Sequence, residues 1–105
     1  MVERTEAELV ERAEDGGRYA VFLYTPLCGT CKLAERMLDI LQVMRPDFTI
    51  DKANVNRMPL LVNRWRIESV PCLLQLEQGQ VKRKMYAFAS IDNVYRFLEP
   101  MFPKP

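Results

Sequence analysis

The stretch Tyr19-Ala-Val-Phe-Leu-Tyr-Thr-Pro-Leu-Cys-Gly-Thr-Cys31 decides the fold of this chain. It is apolar at every position from Ala20 to Leu23, which is typical of a central strand covered on both faces. Pro26 ends the strand, because proline cannot donate a hydrogen bond to a β-ladder. After the second cysteine the apolar residues recur at helical spacing. Cys28 and Cys31 are therefore predicted to lie where a strand gives way to the N-terminus of a helix.

The spacing of the two cysteines indicates dithiol–disulfide chemistry. The first turn of a helix has unpaired backbone N–H groups and a partial positive charge, and both favour a thiolate, the reactive form of cysteine. A thiol three positions along the chain can attack a mixed disulfide formed on the first thiol. We therefore predict Cys28 as the nucleophile and Cys31 as the resolving thiol, with a structural or metal-bound thiol as the alternative for Cys28.

The length, net charge and residue counts of the chain restrict the class of protein to which it can belong. The 105 residues suffice for one domain, predicted over residues 1–105. A net charge of +1 indicates neither nucleic acid nor a membrane surface as partner. No apolar run approaches the ~20 residues that span a bilayer. The chain contains three cysteines and no histidine, which argues against a disulfide-stapled secreted scaffold and excludes imidazole catalysis. The acidic N-terminus is unlike a secretory signal, so we expect a cytoplasmic protein. We also expect a monomer.

The hydrophobic pattern predicts helices alternating with strands. Helices are expected over about 6–15, 28–44, 60–65 and 91–101, and strands over 18–24, 48–54, 72–77 and 81–88; residues 1–4 are either an edge strand or a disordered end. The core face of the second helix is expected to hold Ala34, Met37, Leu38, Leu41 and Val43 or Met44. This order predicts an α/β domain with a mixed sheet and helices on both faces.

With a C-x-x-C after its first central strand, this order of elements resembles that of the thioredoxin family. Tyr24-Thr-Pro-Leu-Cys-Gly-Thr-Cys-Lys32 resembles the family's W-C-G-P-C-K stretch, and Val70-Pro71 resembles its Ile-Pro with a cis peptide bond. Lys52 is separated from Pro71 as is the family's buried lysine beneath the active site. The resemblance, which extends over about residues 18–98, implies a thioredoxin fold with a mixed central sheet of four to five strands.

The resemblance implies a thiol–disulfide oxidoreductase that reduces protein disulfides. Its partners would be disulfide-containing client proteins and a recycling reductase or low-molecular-weight thiol, and no cofactor or metal is expected. The alternative is a non-catalytic binding module that uses the Val70-Pro71 groove. The implied site residues are the catalytic Cys28 and Cys31, the supporting Gly29, Thr30 and Lys52, and the substrate-binding Leu27, Val70 and Pro71.

Several positions depart from the family pattern, and two of them bear on the chemistry. A buried aspartate that the family uses in proton transfer to and from the second cysteine is replaced by Phe22. Lys52 therefore lacks its usual partner, and it is expected to bend toward solvent, to pair with Asp51 or Asp47, or to act alone.

Cys72, which follows the Val70-Pro71 pair, is the other departure, because it replaces a threonine of the family. We interpret it as a small buried core residue on a strand. The alternatives are a third redox thiol close to Cys31 or a third ligand to a soft metal. The nearby Lys82-Arg-Lys84 run is interpreted as a solvated strand face rather than a docking site for an acidic partner.

Overall fold

The computed structural model describes residues 1–103. The predicted domain ends at residue 105, and its last two residues lie outside this described part. The elements are β1 (Val2–Glu3), α1 (Glu6–Asp15), β2 (Arg18–Tyr24), α2 (Gly29–Met44), β3 (Ile50–Asn54), a 3₁₀ turn (Val55–Arg57), α3 (Pro59–Arg64), β4 (Cys72–Glu77), β5 (Gln80–Met85), α4 (Ile91–Leu98) and a second 3₁₀ turn (Glu99–Met101).

The five strands form one mixed sheet in the order β1-β3-β2-β4-β5. The first three run parallel, and β4 and β5 are antiparallel to their neighbours. The predicted α/β architecture and mixed sheet are confirmed. Residues 2 and 3 pair with β3, so the open question at the N-terminus is answered by a short edge strand.

Side chains on opposite faces of the sheet build two core layers, because successive residues of a strand point to opposite sides. One layer packs under α2 and α4 and includes Phe22, Cys31 and Leu73. The other packs under α1 and α3 and includes Leu23, Cys72 and Trp65, the residue directly after α3. The two layers hold the sheet rigidly beneath the C-x-x-C segment at the start of α2.

The end of α2 departs from the predicted core face. Ala34, Leu38 and Leu41 are buried as expected, whereas Val43 is 82 % exposed and Met44 is 64 % exposed. The buried stripe continues instead to Arg45, four residues after Leu41. Its guanidinium donates to both carboxylate oxygens of Asp47 (2.9 and 2.7 Å), to the Tyr95 hydroxyl (3.1 Å) and to the Phe102 carbonyl (2.7 Å). An arginine that makes four hydrogen bonds thus takes the position predicted for an apolar side chain.

Three predicted boundaries were wrong by two residues or more. β3 begins at Ile50 rather than at residue 48, because the Phe48 N–H donates to the Arg45 carbonyl in a turn. β5 ends at Met85 rather than at residue 88, since its partner strand starts at Cys72, directly after a proline that cannot donate. The last helix ends at Leu98, and its predicted final turn is 3₁₀.

Candidate active site

Cys28 and Cys31 form a disulfide at the start of α2, with their Cα atoms 5.2 Å apart. Cys28 is the N-cap residue in an extended conformation, and its sulfur accepts a hydrogen bond from the Cys31 N–H at 3.1 Å. The Thr30 hydroxyl lies 3.4 Å from the same sulfur. These groups and the helix N-terminus favour negative charge on Cys28 once the disulfide is reduced.

The two sulfurs differ in exposure, as the sequence predicts. Cys31 is 2 % exposed and belongs to the core layer under α2, whereas Cys28 is half-buried. Leu27, directly before Cys28, is 97 % exposed, and Gly29 and Thr30 are exposed too. Cys28 is consequently the sulfur that a second molecule reaches first.

The Val70-Pro71 segment lies beside the cysteines through the pairing of β2 with β4. Leu23, near the end of β2, is the register partner of Cys72, the residue after Pro71. The Val70–Pro71 peptide bond is cis, and both residues are half-buried. The topology thus brings the Val70-Pro71 segment, which is far away in the sequence, to the end of β2 that leads into Leu27 and the cysteine pair.

Lys52 does not make the contacts that were expected of it. Its Nζ binds Glu35 Oε2 on α2 at 3.0 Å, whereas the expected partner Asp51 is engaged by Arg4 (3.3 Å) and Arg12 (3.9 Å). The prediction of Asp51, Asp47, solvent or no partner was wrong, because it considered only residues close to Lys52 in the sequence. Glu35 lies one helical turn after Cys31, and that i, i+4 spacing is the signal that could have revealed it.

Lys52 and Glu35 line a small cleft that reaches the buried cysteine. The cleft has a volume of about 130 Å³, and its walls include Phe22, Tyr24 and Cys31. Phe22 is the register neighbour of Lys52, and its ring stacks on Tyr24 with centroids 6.1 Å apart. The wall formed by β2 is therefore aromatic, and the carboxylate that pairs with Lys52 comes from the helix.

Cys72 lies on the opposite side of the sheet from Cys31. It is fully buried in the layer under α1 and α3, as a small core residue on a strand should be. Burial raises the pKa of its thiol to about 11. The alternative of a third redox thiol close to Cys31 is therefore wrong. Among residues 1–103, no three Cys, His, Asp or Glu side chains are grouped as a metal ion requires.

The charged run on β5 is a solvated face as predicted, since Lys82, Arg83 and Lys84 are all exposed, and two of these side chains also make contacts. Lys84 Nζ donates to the Arg66 carbonyl at 2.8 Å, and the Arg83 guanidinium lies 4.7 Å from the centroid of the Phe97 ring. The Tyr86 hydroxyl, just beyond the strand, accepts the Glu68 N–H at 3.2 Å. β5 and the residue after it therefore tether the loop that leads to Val70.

A family model described as Thioredoxin matches residues 3–99. The chain belongs to the thioredoxin family. It is 39 % identical over 99 residues to "Thioredoxin-like protein YusE" of Bacillus subtilis (strain 168), covering 94 % of this chain and 92 % of that protein. It is 25 % identical over 84 residues to "Thioredoxin H-type" of Ricinus communis, covering 80 % and 71 % of the two chains.

A solved structure, that of a mutant thioredoxin from Halobacterium salinarum NRC-1, superimposes with a TM-score of 0.81 at 18 % identity. The match covers 99 % of this chain and 92 % of that one, and it supports the thioredoxin fold. Fold, family and the C-x-x-C pair together support thiol–disulfide oxidoreductase chemistry at the level of the family. Within residues 1–103, no helix has the length and apolar character needed to cross a membrane.

Proposed function

We propose that this thioredoxin-family protein reduces disulfide bonds in client proteins through Cys28 and Cys31. The observation that carries the proposal is the position of Cys28: it caps α2, its sulfur accepts the Cys31 N–H, and it is the more exposed of the pair. A thiolate held in this way is a good nucleophile, and the second thiol stands close enough to release the client.

The reaction proceeds in two exchanges that conserve electrons. The Cys28 thiolate attacks one sulfur of the client disulfide, forming a mixed disulfide, and the other client sulfur leaves as a thiolate. Cys31 then loses its proton and attacks Cys28, which forms the Cys28–Cys31 disulfide and releases the second client thiolate. The client gains two electrons and leaves as two thiolates, one proton is released from Cys31, and the protein ends in the disulfide form.

The Val70-Pro71 segment is the proposed docking site for the client. An extended client segment could pair with the Val70 backbone beside Cys28, as in β-strand addition, while Leu27 offers it an apolar contact. We place the protein in the cytoplasm, where a dithiol reductase or a low-molecular-weight thiol would return it to the dithiol form. Gly29 and Thr30 contribute to the reduction potential through the environment of the Cys28 sulfur.

The test is reduction of insulin disulfides with dithiothreitol as the electron source. Wild type should accelerate the precipitation of the released insulin chain, and Cys28→Ser should fall to the uncatalysed rate. Circular dichroism of both proteins checks that the variant is folded. If wild type and Cys28→Ser are equally slow while both are folded, the proposed activity is wrong.

The binding-module alternative makes the opposite prediction in a trapping experiment. A Cys31→Ser variant of an oxidoreductase should accumulate mixed disulfides with clients through Cys28, and these adducts should dissolve on reduction. A binding module should capture its partner without a covalent bond, and capture should survive Cys28→Ser unchanged.

A further inference from the structure

The second exchange requires a group that takes the proton of the Cys31 thiol. Cys31 is 2 % exposed, so bulk water reaches it poorly. The chain has no histidine, and the strand position beneath the cysteine is occupied by the apolar ring of Phe22. We therefore look for the proton acceptor on an element other than β2, among the residues that line the same cleft as Cys31.

Glu35 is the carboxylate in that position. It lies on α2 one turn after Cys31, on the same face of the helix, and it lines the cleft together with Cys31 and Lys52. The Lys52 ammonium, 3.0 Å from Oε2, fixes the carboxylate from the side of β3. A cleft of about 130 Å³ has room for water between the sulfur and the carboxylate.

We infer that Glu35, positioned by Lys52, receives the proton of the Cys31 thiol through water during the second exchange. The S–H bond breaks and its electron pair stays on the Cys31 sulfur. That pair forms the new bond to Cys28 as the bond between Cys28 and the client breaks, and the client sulfur leaves with the electron pair. The Glu35 side chain is 33 % exposed, so it can return the proton to bulk water. The inference rests on the proposed function and deepens it.

The other ionisable groups around Glu35 do not compete for this role. Lys52 and Lys32 carry ammonium groups, which donate hydrogen bonds and offer no acceptor. Burial, reinforced by the hydrogen bond to Glu3, raises the pKa of the Tyr24 hydroxyl to about 12, so Tyr24 remains neutral in the assay range. Glu3 itself accepts that hydroxyl hydrogen bond and does not line the cleft. In the part of the chain that the structure describes, Glu35 is the one carboxylate lining the cleft.

The test follows each exchange separately by rapid mixing of the reduced protein with an equimolar aromatic disulfide, 5,5′-dithiobis(2-nitrobenzoate). Attack by Cys28 releases one coloured thiolate, and attack by Cys31 releases the second. Glu35→Gln keeps the size and one acceptor oxygen of the side chain but is no base. Asp39→Asn, an exposed carboxylate on the same helix, is the matched control for the change of charge.

We expect the second phase of Glu35→Gln to be at least about tenfold slower than wild type near pH 6.5, because a general base typically contributes 10²–10⁴-fold. The difference should shrink toward pH 10, since hydroxide then ionises a growing fraction of the Cys31 thiol without a general base. Asp39→Asn should match wild type at both pH values, and the first phase should be fast in all three proteins.

Three other outcomes would refute the proposed function or the role of Glu35. A first phase in wild type no faster than in Cys28→Ser refutes the proposed function and the inference together. A normal first phase with an unchanged second phase in Glu35→Gln refutes the inference alone. A second phase slowed by the same factor at every pH also refutes it, because it would show that Glu35 only shapes the site.

Discussion

Replacing Phe22 with Asp should lower the free energy of unfolding by about 4 kcal/mol. The ring is 1 % exposed, packs edge-on against Phe88 at 6.0 Å and stacks on Tyr24 at 6.1 Å. Truncating such a ring typically costs about 3–5 kcal/mol, to which aromatic pairs contribute about 0.5–1.5 kcal/mol each. The new carboxylate would stand beside Lys52, its register neighbour, and that cation offsets part of the burial penalty.

The assay is urea unfolding of the oxidised protein followed by circular dichroism. Phe22→Leu is the control, because it retains an apolar side chain and should cost about 1–3 kcal/mol through the loss of the two aromatic pairs. A loss below about 1 kcal/mol for Phe22→Asp would show that the ring does not support the core layer under α2. If both variants lost the same free energy of unfolding, the buried charge would contribute nothing, and the loss of the ring would account for the whole effect.

The same substitution has a kinetic consequence if Glu35 acts on Cys31. When Glu35 is present, Phe22→Asp should change the rate of the second phase little, because Glu35 already accepts the proton. In Phe22→Asp combined with Glu35→Gln, the new carboxylate should restore most of the lost rate near pH 6.5. A double variant as slow as Glu35→Gln would indicate that a carboxylate on β2 cannot serve this sulfur.

Three further predictions concern stability. Because burial holds the pKa of the Cys72 thiol near 11, above its ordinary 9.0, the folded state keeps a proton that the unfolded state loses. Wild type should therefore lose up to about 2 kcal/mol relative to Cys72→Ala as the pH of urea unfolding rises from about 9 to about 11, and a constant difference would contradict this. Gly79→Ala should destabilise by about 1–2 kcal/mol, since φ is +77° and a Cβ would lie 2.9 Å from the Ala13 carbonyl oxygen. The Gly29→Ala control meets no atom within 4 Å, so equal thermal shifts in the two variants would contradict the steric reason. Gln75→Leu should cost about 1–3 kcal/mol in urea unfolding, because its buried amide donates at 2.6 Å to a backbone carbonyl of α4; no loss would mean that water replaces the bond.

Local signals in the sequence determined most of the fold. A capping box at Thr5, the proline at position 26 and the Gln78-Gly79 turn each end or start an element where the structure does. The end of β5 was wrong because it depends on the partner strand: β5 ends where the chain before Cys72 stops pairing. The residue pattern of β5 by itself does not show where that partner strand begins.

The candidate site was predictable where its residues are close in sequence and not where they meet across elements. The cap of α2 by Cys28 follows from spacing alone, and so does the greater burial of Cys31. The pairing of Lys52 with Glu35 needs the register of β3 against β2 and the path of α2 over it. The exposure of Val43 likewise follows from Arg45 taking the buried position that an apolar residue was expected to fill.

The positions of Phe22 and Glu35 explain each other. A carboxylate on β2 would be buried among apolar side chains, where an ionised group is expensive unless it is paired. A carboxylate on α2 reaches the same cleft from its rim, pairs with the same Lys52 and remains one-third exposed. The central strand can then be apolar at every position from Ala20 to Leu23, which strengthens the core layer directly beneath Cys31. The absence of an acidic residue from the strand therefore does not remove proton transfer from this site, because the helix that carries Cys31 also carries the group able to accept its proton.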